Sequence, residues 1–110
     1  MTAWLSAFLF TQAVEVPFYR WQLKHLSPAD AWGLSVLLSL ATHPVVWFVF
    51  PSLFPTSYWG MVLAAESFAI GVEALMLWRV RVSQPFLVSL VANSLSAGLG
   101  LLSRSLFGWP

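Results

Sequence analysis

The stretch "AAESFAIGVEALM", residues 64–76, places two glutamates seven positions apart in otherwise small and apolar sequence. Together with Glu15, Glu66 and Glu73 make up three of the four acidic residues of the chain. Seven residues are nearly two helical turns, so a helix puts Glu66 and Glu73 on one face, about 10.5 Å apart along its axis. Carboxyl groups inside an apolar helix are typical of proton or ion pathways.

Two further polar residues, His43 and Asn93, interrupt other apolar stretches of the chain. Counting about 1.5 Å of rise per residue from the expected outer boundary places His43 level with Glu66, and Asn93 level with Glu15. Glu73 lies deeper. The ion- or substrate-binding residues predicted from the sequence are therefore Glu15, His43, Glu66, Glu73 and Asn93.

Two prolines and two hydroxyl side chains are predicted to support these groups. Pro17 follows Glu15 by two residues and Pro44 follows His43 directly, and each proline frees a backbone carbonyl one turn earlier. Broken helical backbone at membrane depth is tolerated where protein or water satisfies it, and such breaks recur at transport sites. Ser39 and Thr42 are the side chains expected to satisfy the carbonyl freed by Pro44.

The composition fixes the broad class of the protein. Of the 110 residues, 59% are hydrophobic and 8% are charged, whereas about 25% of residues are charged in a soluble domain. A mean hydropathy of +0.80 agrees with an integral membrane protein in contact with a lipid bilayer. The chain has no cysteine, which excludes thiolate metal sites, and a net charge of +1 without a basic run argues against nucleic acid as a partner.

Four apolar segments have the length of about 20 residues that a membrane-spanning helix needs. They cover residues 3–21, 31–50, 57–78 and 84–107, and the sequence "SPAD" (27–30) and Thr56 or Ser57 offer helix N-caps. We therefore predict an all-α fold: one domain, residues 1–110, that forms an integral membrane bundle of four transmembrane helices. The residues expected to anchor it at the two membrane surfaces are Trp4, Trp47, Tyr58, Trp59, Trp78 and Trp109.

A faint internal repeat suggests two tandem two-helix units. "VEVPFYRW" (14–21) is similar to "VEALMLWR" (72–79), and "SLATHP" (39–44) corresponds to "SLVANS" (89–94). In the last helix, Ser89, Asn93, Ser96 and Gly100 follow one another at spacings of four, three and four residues. This pattern puts small and polar residues on one face and predicts close helix packing there.

Structural roles for the polar groups stay open alongside the functional ones. Each glutamate can serve as a hydrogen-bonded carboxylic acid that ties helices together, Glu73 can pair with Arg20 or Arg79, and His43 can be a structural hydrogen-bonding group. Three functions follow: a small transporter or ion pathway acting as a homo-oligomer, a non-catalytic subunit of a larger membrane complex, or an intramembrane enzyme with a Glu/His metal site. The sequence specifies no cofactor and leaves the metal question open.

The distribution of Lys and Arg predicts the orientation in a bacterial inner membrane. Arg20 and Lys24 flank the first connection, Arg79 and Arg81 flank the third, and the opposite face has Arg104 alone. By the positive-inside rule, the first and third connections face the cytoplasm and both termini face outward.

The orientation is testable with single cysteines introduced at Pro55 and at Lys24. Because the two positions are predicted to lie on opposite faces, a membrane-impermeant thiol reagent should label the Pro55 variant from outside and the Lys24 variant from the cytoplasmic side. Labelling of the Pro55 variant from the cytoplasm would show that the orientation is inverted.

Overall fold

The computed structural model describes residues 2–110, and four long helices account for most of them. The helices in chain order are α1 Thr2–Gln22, α2 Pro28–Phe48, the short α3 Phe50–Leu53, α4 Tyr58–Arg79 and α5 Pro85–Phe107. The all-α class and the number of long helices predicted from the sequence are confirmed.

The helix boundaries agree with the local capping signals. The Ser27 side chain accepts a hydrogen bond from the backbone N–H of Asp30 at 3.3 Å, and Ser57 accepts one from Gly60 at 3.1 Å. α2 therefore begins at Pro28, three residues before the predicted boundary, because the capping sequence starts the helix before the apolar stretch does. Pro17 and Pro44 lie inside α1 and α2, which continue through them.

Three segments are long and apolar enough to cross a membrane: residues Pro28–Leu53, Tyr58–Arg79 and Pro85–Phe107. The remaining long helix, α1, also has 21 residues but does not qualify as a candidate span. Its sequence includes Gln12, Glu15 and Arg20, which make it less apolar than the other three. The predicted set of four spanning helices is thus supported for three.

The four long helices form a square bundle. α1 packs against α2 and α5, and α4 packs against the same two helices. Across residues 2–110, no backbone contact joins the diagonal pairs α1–α4 and α2–α5. Any link across either diagonal must therefore be made by long side chains in the centre of the bundle.

The two ends of the bundle differ in their interior. At the closed end, near the α1–α2 and α4–α5 connections, the core is mainly apolar. Its hydrophobic residues are Tyr19, Leu23, Ala31, Leu38, Leu77, Val82, Val88 and Ala92. The hydroxyls of Ser35 and Ser89 are also buried there, and each donates to a backbone carbonyl. At the open end, where α1 and α4 begin and α2 and α5 finish, the interior is polar and partly hollow. This difference places the interior cavity toward the open end.

The outer surface of the bundle is apolar. Phe86, Leu95 and Leu102, on the far side of α5 from its small and polar face, are 61%, 43% and 53% exposed. The largest dimension of the molecule is 42 Å, close to the full thickness of a bilayer with its headgroups. The exposed side chains of Trp59, Trp78 and Trp109 agree with anchoring roles at the membrane surfaces.

The small and polar face of α5 is buried, as its spacing predicts. Ser89, Asn93 and Ser96 are all buried, and the Ser89 hydroxyl donates to the backbone carbonyl of Ile70 on α4 at 2.7 Å. The corresponding positions of the proposed repeat, Glu15 and Glu73, are both buried as well. The two halves therefore share a burial pattern, while gene duplication itself stays a prediction.

Gly100 tests the close packing of α5 against α1. A Cβ added there would lie 3.7 Å from the Phe10 ring, an ordinary contact, so Gly100→Ala should keep or raise the melting temperature in detergent. The longer side chain of the Gly100→Leu variant would clash with the Phe10 ring, so this variant should have a lower melting temperature. Equal melting temperatures for the leucine variant and the wild type would contradict a packed α1–α5 face.

Candidate functional site

Glu73 is the centre of a hydrogen-bond network that joins all four long helices. Its Oε1 accepts from the Tyr19 hydroxyl of α1 at 2.6 Å and from the Asn93 amide of α5 at 3.2 Å. Its Oε2 accepts from the Thr42 hydroxyl of α2 at 2.8 Å. Three donors surround one buried carboxyl group, so both of its oxygens are satisfied inside the protein.

The direction of side chains along a helix explains this pairing. The Cα–Cβ bond tilts toward the N-terminus of its own helix, so Glu73 on α4 leans toward the open end and Asn93 on α5 leans toward the closed end. The Asn93 amide accordingly also reaches the Ser89 carbonyl, 2.9 Å away, one turn closer to the start of α5. The sequence placed Asn93 beside Glu15. That pairing was wrong because backbone depth alone ignores this tilt.

Glu15 has a different partner and one unused oxygen. Its Oε2 accepts a hydrogen bond from Ser96, one turn further along α5 than Asn93. Its Oε1 is buried and has no hydrogen-bond partner within residues 2–110. The carboxyl group is only 1% exposed, so an unsatisfied oxygen there is costly unless a ligand or water supplies a donor.

Ser39 and Thr42 do not perform the role predicted for them beside Pro44. The Thr42 hydroxyl donates to Glu73, with a second, weaker contact of 3.4 Å to the carbonyl of Ser39. The Ser39 hydroxyl is buried without a partner in the described chain. Both side chains face the interior of the bundle because they lie on the same face of α2 as His43.

His43 lies among aromatic rings. Its ring centroid is 5.3 Å from that of Phe8, 6.1 Å from Trp4 and 6.3 Å from Trp47, and its Nε2 is buried without a partner in the described residues. Trp4 and Trp47 therefore pack on the histidine, although the sequence suggested that they were surface anchors. The aromatic rings fix the orientation of the imidazole at the wall of the interior.

A single interior cavity of about 190 Å³ brings the predicted residues together. Its lining includes all five predicted binding residues, Glu15, His43, Glu66, Glu73 and Asn93, together with Ser39, Thr42, Ser96 and Gly100. The cavity ends at Glu73, directly before the apolar core of the closed end. It extends in the other direction to Tyr58 and Arg104, which are exposed at the open end.

Glu66 lies at the junction of this cavity with a wider outer chamber of about 370 Å³. Residues of α2, α3 and α4, among them Pro51, Met61 and Ala65, line most of the chamber, and Arg104 of α5 also contributes to its wall. Glu66 is partly exposed and makes no hydrogen bond to another described residue, in contrast to Glu73. The three glutamates thus form a series from an open, unpaired group to a buried, fully paired one.

The arrangement shows no preformed metal centre in the described part of the chain. Within residues 2–110, no group of three His, Asp or Glu side chains is placed to hold a metal ion. Comparisons with protein-family models, with curated proteins and with solved structures find no match. The functional argument therefore depends on the geometry of the cavity.

Sequence reasoning missed two residues of this site. Tyr19 follows Glu15 by four positions, so it shares a helix face with a predicted site residue, and that spacing was the available signal. Arg104 was counted only as a charge at the outer face. It lines both the cavity and the outer chamber.

The hydrogen bond from Tyr19 to Glu73 gives a direct prediction for stability. Removing the hydroxyl in Tyr19→Phe leaves Glu73 with one donor fewer, and we expect the free energy of unfolding to fall by about 1 kcal/mol. Titration with a denaturing detergent measures the change, and Tyr58→Phe at the exposed open end is the matched control. If both variants unfold like the wild type, Glu73 does not tie α1 to the bundle.

Proposed function

We propose that this protein is a small membrane transporter or ion pathway whose binding site is the acid-lined cavity. One observation carries the proposal: the intramembrane glutamates, His43 and Asn93 all line a single cavity that reaches only one end of the bundle. Ionisable residues inside spanning helices cost about 2.5–3.5 kcal/mol each at the bilayer centre. Their collection around one hollow space supports a binding role for it.

The proposal includes α1 as a fourth transmembrane helix. Of the polar residues that lower its hydropathy, Glu15 is buried against its neighbours, and Gln12 and Arg20 are partly buried, with the Gln12 amide donating to the Val36 carbonyl of α2 at 3.5 Å. Leu5, Leu9 and Trp21 are 47%, 56% and 62% exposed on its outer side. A helix with its polar groups hydrogen-bonded inside the bundle and apolar groups outside can lie in a bilayer beside the other three.

The unsatisfied atoms of the cavity support a ligand that donates hydrogen bonds. Glu15 Oε1, Ser39 Oγ and His43 Nε2 are all buried without a partner in the described residues, and all three residues line the cavity. Buried polar groups in native proteins are nearly always paired. A proton, a cation or ordered water entering from the open end would complete their hydrogen bonds.

Passage through the protein requires the closed end to open. Below Glu73, the Tyr19 ring and the side chains of Leu23 and Leu77 are fully buried and pack in the apolar core cluster. Four helices enclose little volume, so we propose that more than one copy assembles to form the pathway. In a bacterial inner membrane with both termini outward, the cavity would open to the outside.

A second candidate function is a non-catalytic subunit of a larger membrane complex. The complete set of hydrogen bonds around Glu73 favours it, since such a network is what a purely structural carboxyl group needs. The unpaired oxygen of Glu15 and the free carboxyl group of Glu66 are not explained by that role.

Substitutions at Glu15 and Glu66 distinguish the two functions. Glutamine keeps the shape of the side chain and removes its charge and titration, so Glu66→Gln and Glu15→Gln should abolish flux while the protein still folds. The measurement is proton and cation flux in proteoliposomes under an imposed potential, with a trapped pH-sensitive dye and a potassium electrode.

Asp30→Asn is the matched control, because Asp30 is the acidic residue outside the cavity, exposed in the first turn of α2. Its flux should equal that of the wild type. Wild-type flux in both glutamine variants, or no flux in the wild type itself, would contradict a transport role and favour the structural subunit.

A further inference from the structure

The charges of the cavity are separated along its length. Glu15, Glu66 and Glu73 line its inner and middle parts, and Arg104 is the one Lys or Arg among the described residues that line it. Arg104 makes a single weak hydrogen bond, 3.4 Å to the carbonyl of Pro110, which leaves most of its five N–H donors available. The cavity thus has carboxyl groups inside and a guanidinium group at its mouth.

Side-chain direction brings these opposite charges toward each other. Glu15 lies on α1, which begins at the open end, so its side chain leans toward the mouth of the cavity. Arg104 lies on α5, which ends at the open end, so its side chain leans toward the closed end. Ser96, which donates to Glu15, precedes Arg104 by eight residues, or about 12 Å of helix axis. The two positions are therefore separated by about 12 Å along the bundle axis, and the tilt of the Arg104 and Glu15 side chains reduces this axial separation.

The inner part of the cavity offers acceptors that match an ammonium group. Glu15 and Ser39 are each 1% exposed, and Glu15 Oε1 and Ser39 Oγ have no donor among the described residues. A primary ammonium group carries three N–H donors and a positive charge. Its donors can pair with these oxygens and its charge neutralises a carboxylate, whereas a water molecule supplies two donors but no charge.

The cavity also has apolar walls, which suit an organic chain better than a bare ion. Its apolar lining residues include Phe10, Val46, Trp47 and Val62. Its volume of about 190 Å³ exceeds the roughly 150 Å³ of a cavity known to hold benzene. A ligand of that size can reach from the inner carboxyl group to the mouth.

We propose that the cavity binds a small organic zwitterion of the ω-amino acid type. The ammonium group of the ligand donates to Glu15 and Ser39, its methylene chain lies along the apolar walls, and its carboxylate accepts two hydrogen bonds from Arg104. This inference rests on the proposed transport function and specifies the class of substrate.

Isothermal titration calorimetry on the purified protein in detergent tests the proposal with three probes. δ-Aminovalerate carries both charges, pentylamine carries only the ammonium group, and valerate carries only the carboxylate. Because both charges are recognised, δ-aminovalerate should bind at least about tenfold more tightly than either of the others.

Two variants separate the ends of the site. Arg104→Gln changes an exposed side chain and should weaken the binding of δ-aminovalerate about tenfold while leaving the affinity for pentylamine unchanged. Glu15→Gln should weaken the binding of both amines. Equal affinity for pentylamine and δ-aminovalerate, or unaltered zwitterion binding in Arg104→Gln, overturns the assignment of Arg104. If none of the three probes binds, the proposed substrate class is wrong. Ion flux that still depends on Glu15 and Glu66 would in that case support the transport function without this substrate.

Discussion

A carboxyl group in the middle of an apolar bundle must obtain its hydrogen bonds from the protein, because lipid supplies none. Glu73 meets this constraint by drawing one donor from each of the other three long helices: Tyr19, Thr42 and Asn93. The diagonal helices α1 and α4 make no backbone contact in the described chain, so the Tyr19–Glu73 bond links them directly. Glu73 therefore makes a polar contact with each of the other three long helices, in addition to the packing between neighbouring helices.

The position of Glu73 also divides the interior into two parts. Toward the closed end, apolar side chains such as Leu23 and Leu77 fill the space, and the buried atom there without a partner among the described residues, Arg20 Nε, does not line the cavity. Toward the open end, Glu15, Ser39 and His43 each retain an unpaired atom beside a hollow space. A bundle that needed only stability would have filled this space with apolar side chains, as the closed end does. The asymmetry is therefore the strongest argument for a binding function.

Much of the fold follows from the sequence, since the apolar segments and the caps at Ser27 and Ser57 define the helices. The set of cavity residues could also be predicted from the sequence, because polar residues in apolar helices turn inward. The hydrogen-bond partners of these residues could not be predicted. Asn93 contacts Glu73 because their side chains tilt toward each other, and this contact depends on the relative heights of α4 and α5. The Tyr19 hydroxyl needs a hydrogen-bond partner only because it is buried, and its burial is known from the structure. The unpaired atoms at Ser39 and His43 depend on packing that no spacing pattern encodes.

The central claim is that the cavity is open to water at one end of the bundle only. The chain has no cysteine, so single cysteines can be introduced without removing others. Ala97 lines the cavity, whereas Val88 lies in the apolar core of the closed end. A charged, membrane-impermeant thiol reagent should label Ala97→Cys from the side of the α3–α4 connection, and should not label Val88→Cys from either side. If the reagent labels Ala97→Cys from neither side, or labels it from the side of Lys24, the cavity is not open to water at the end near the α3–α4 connection.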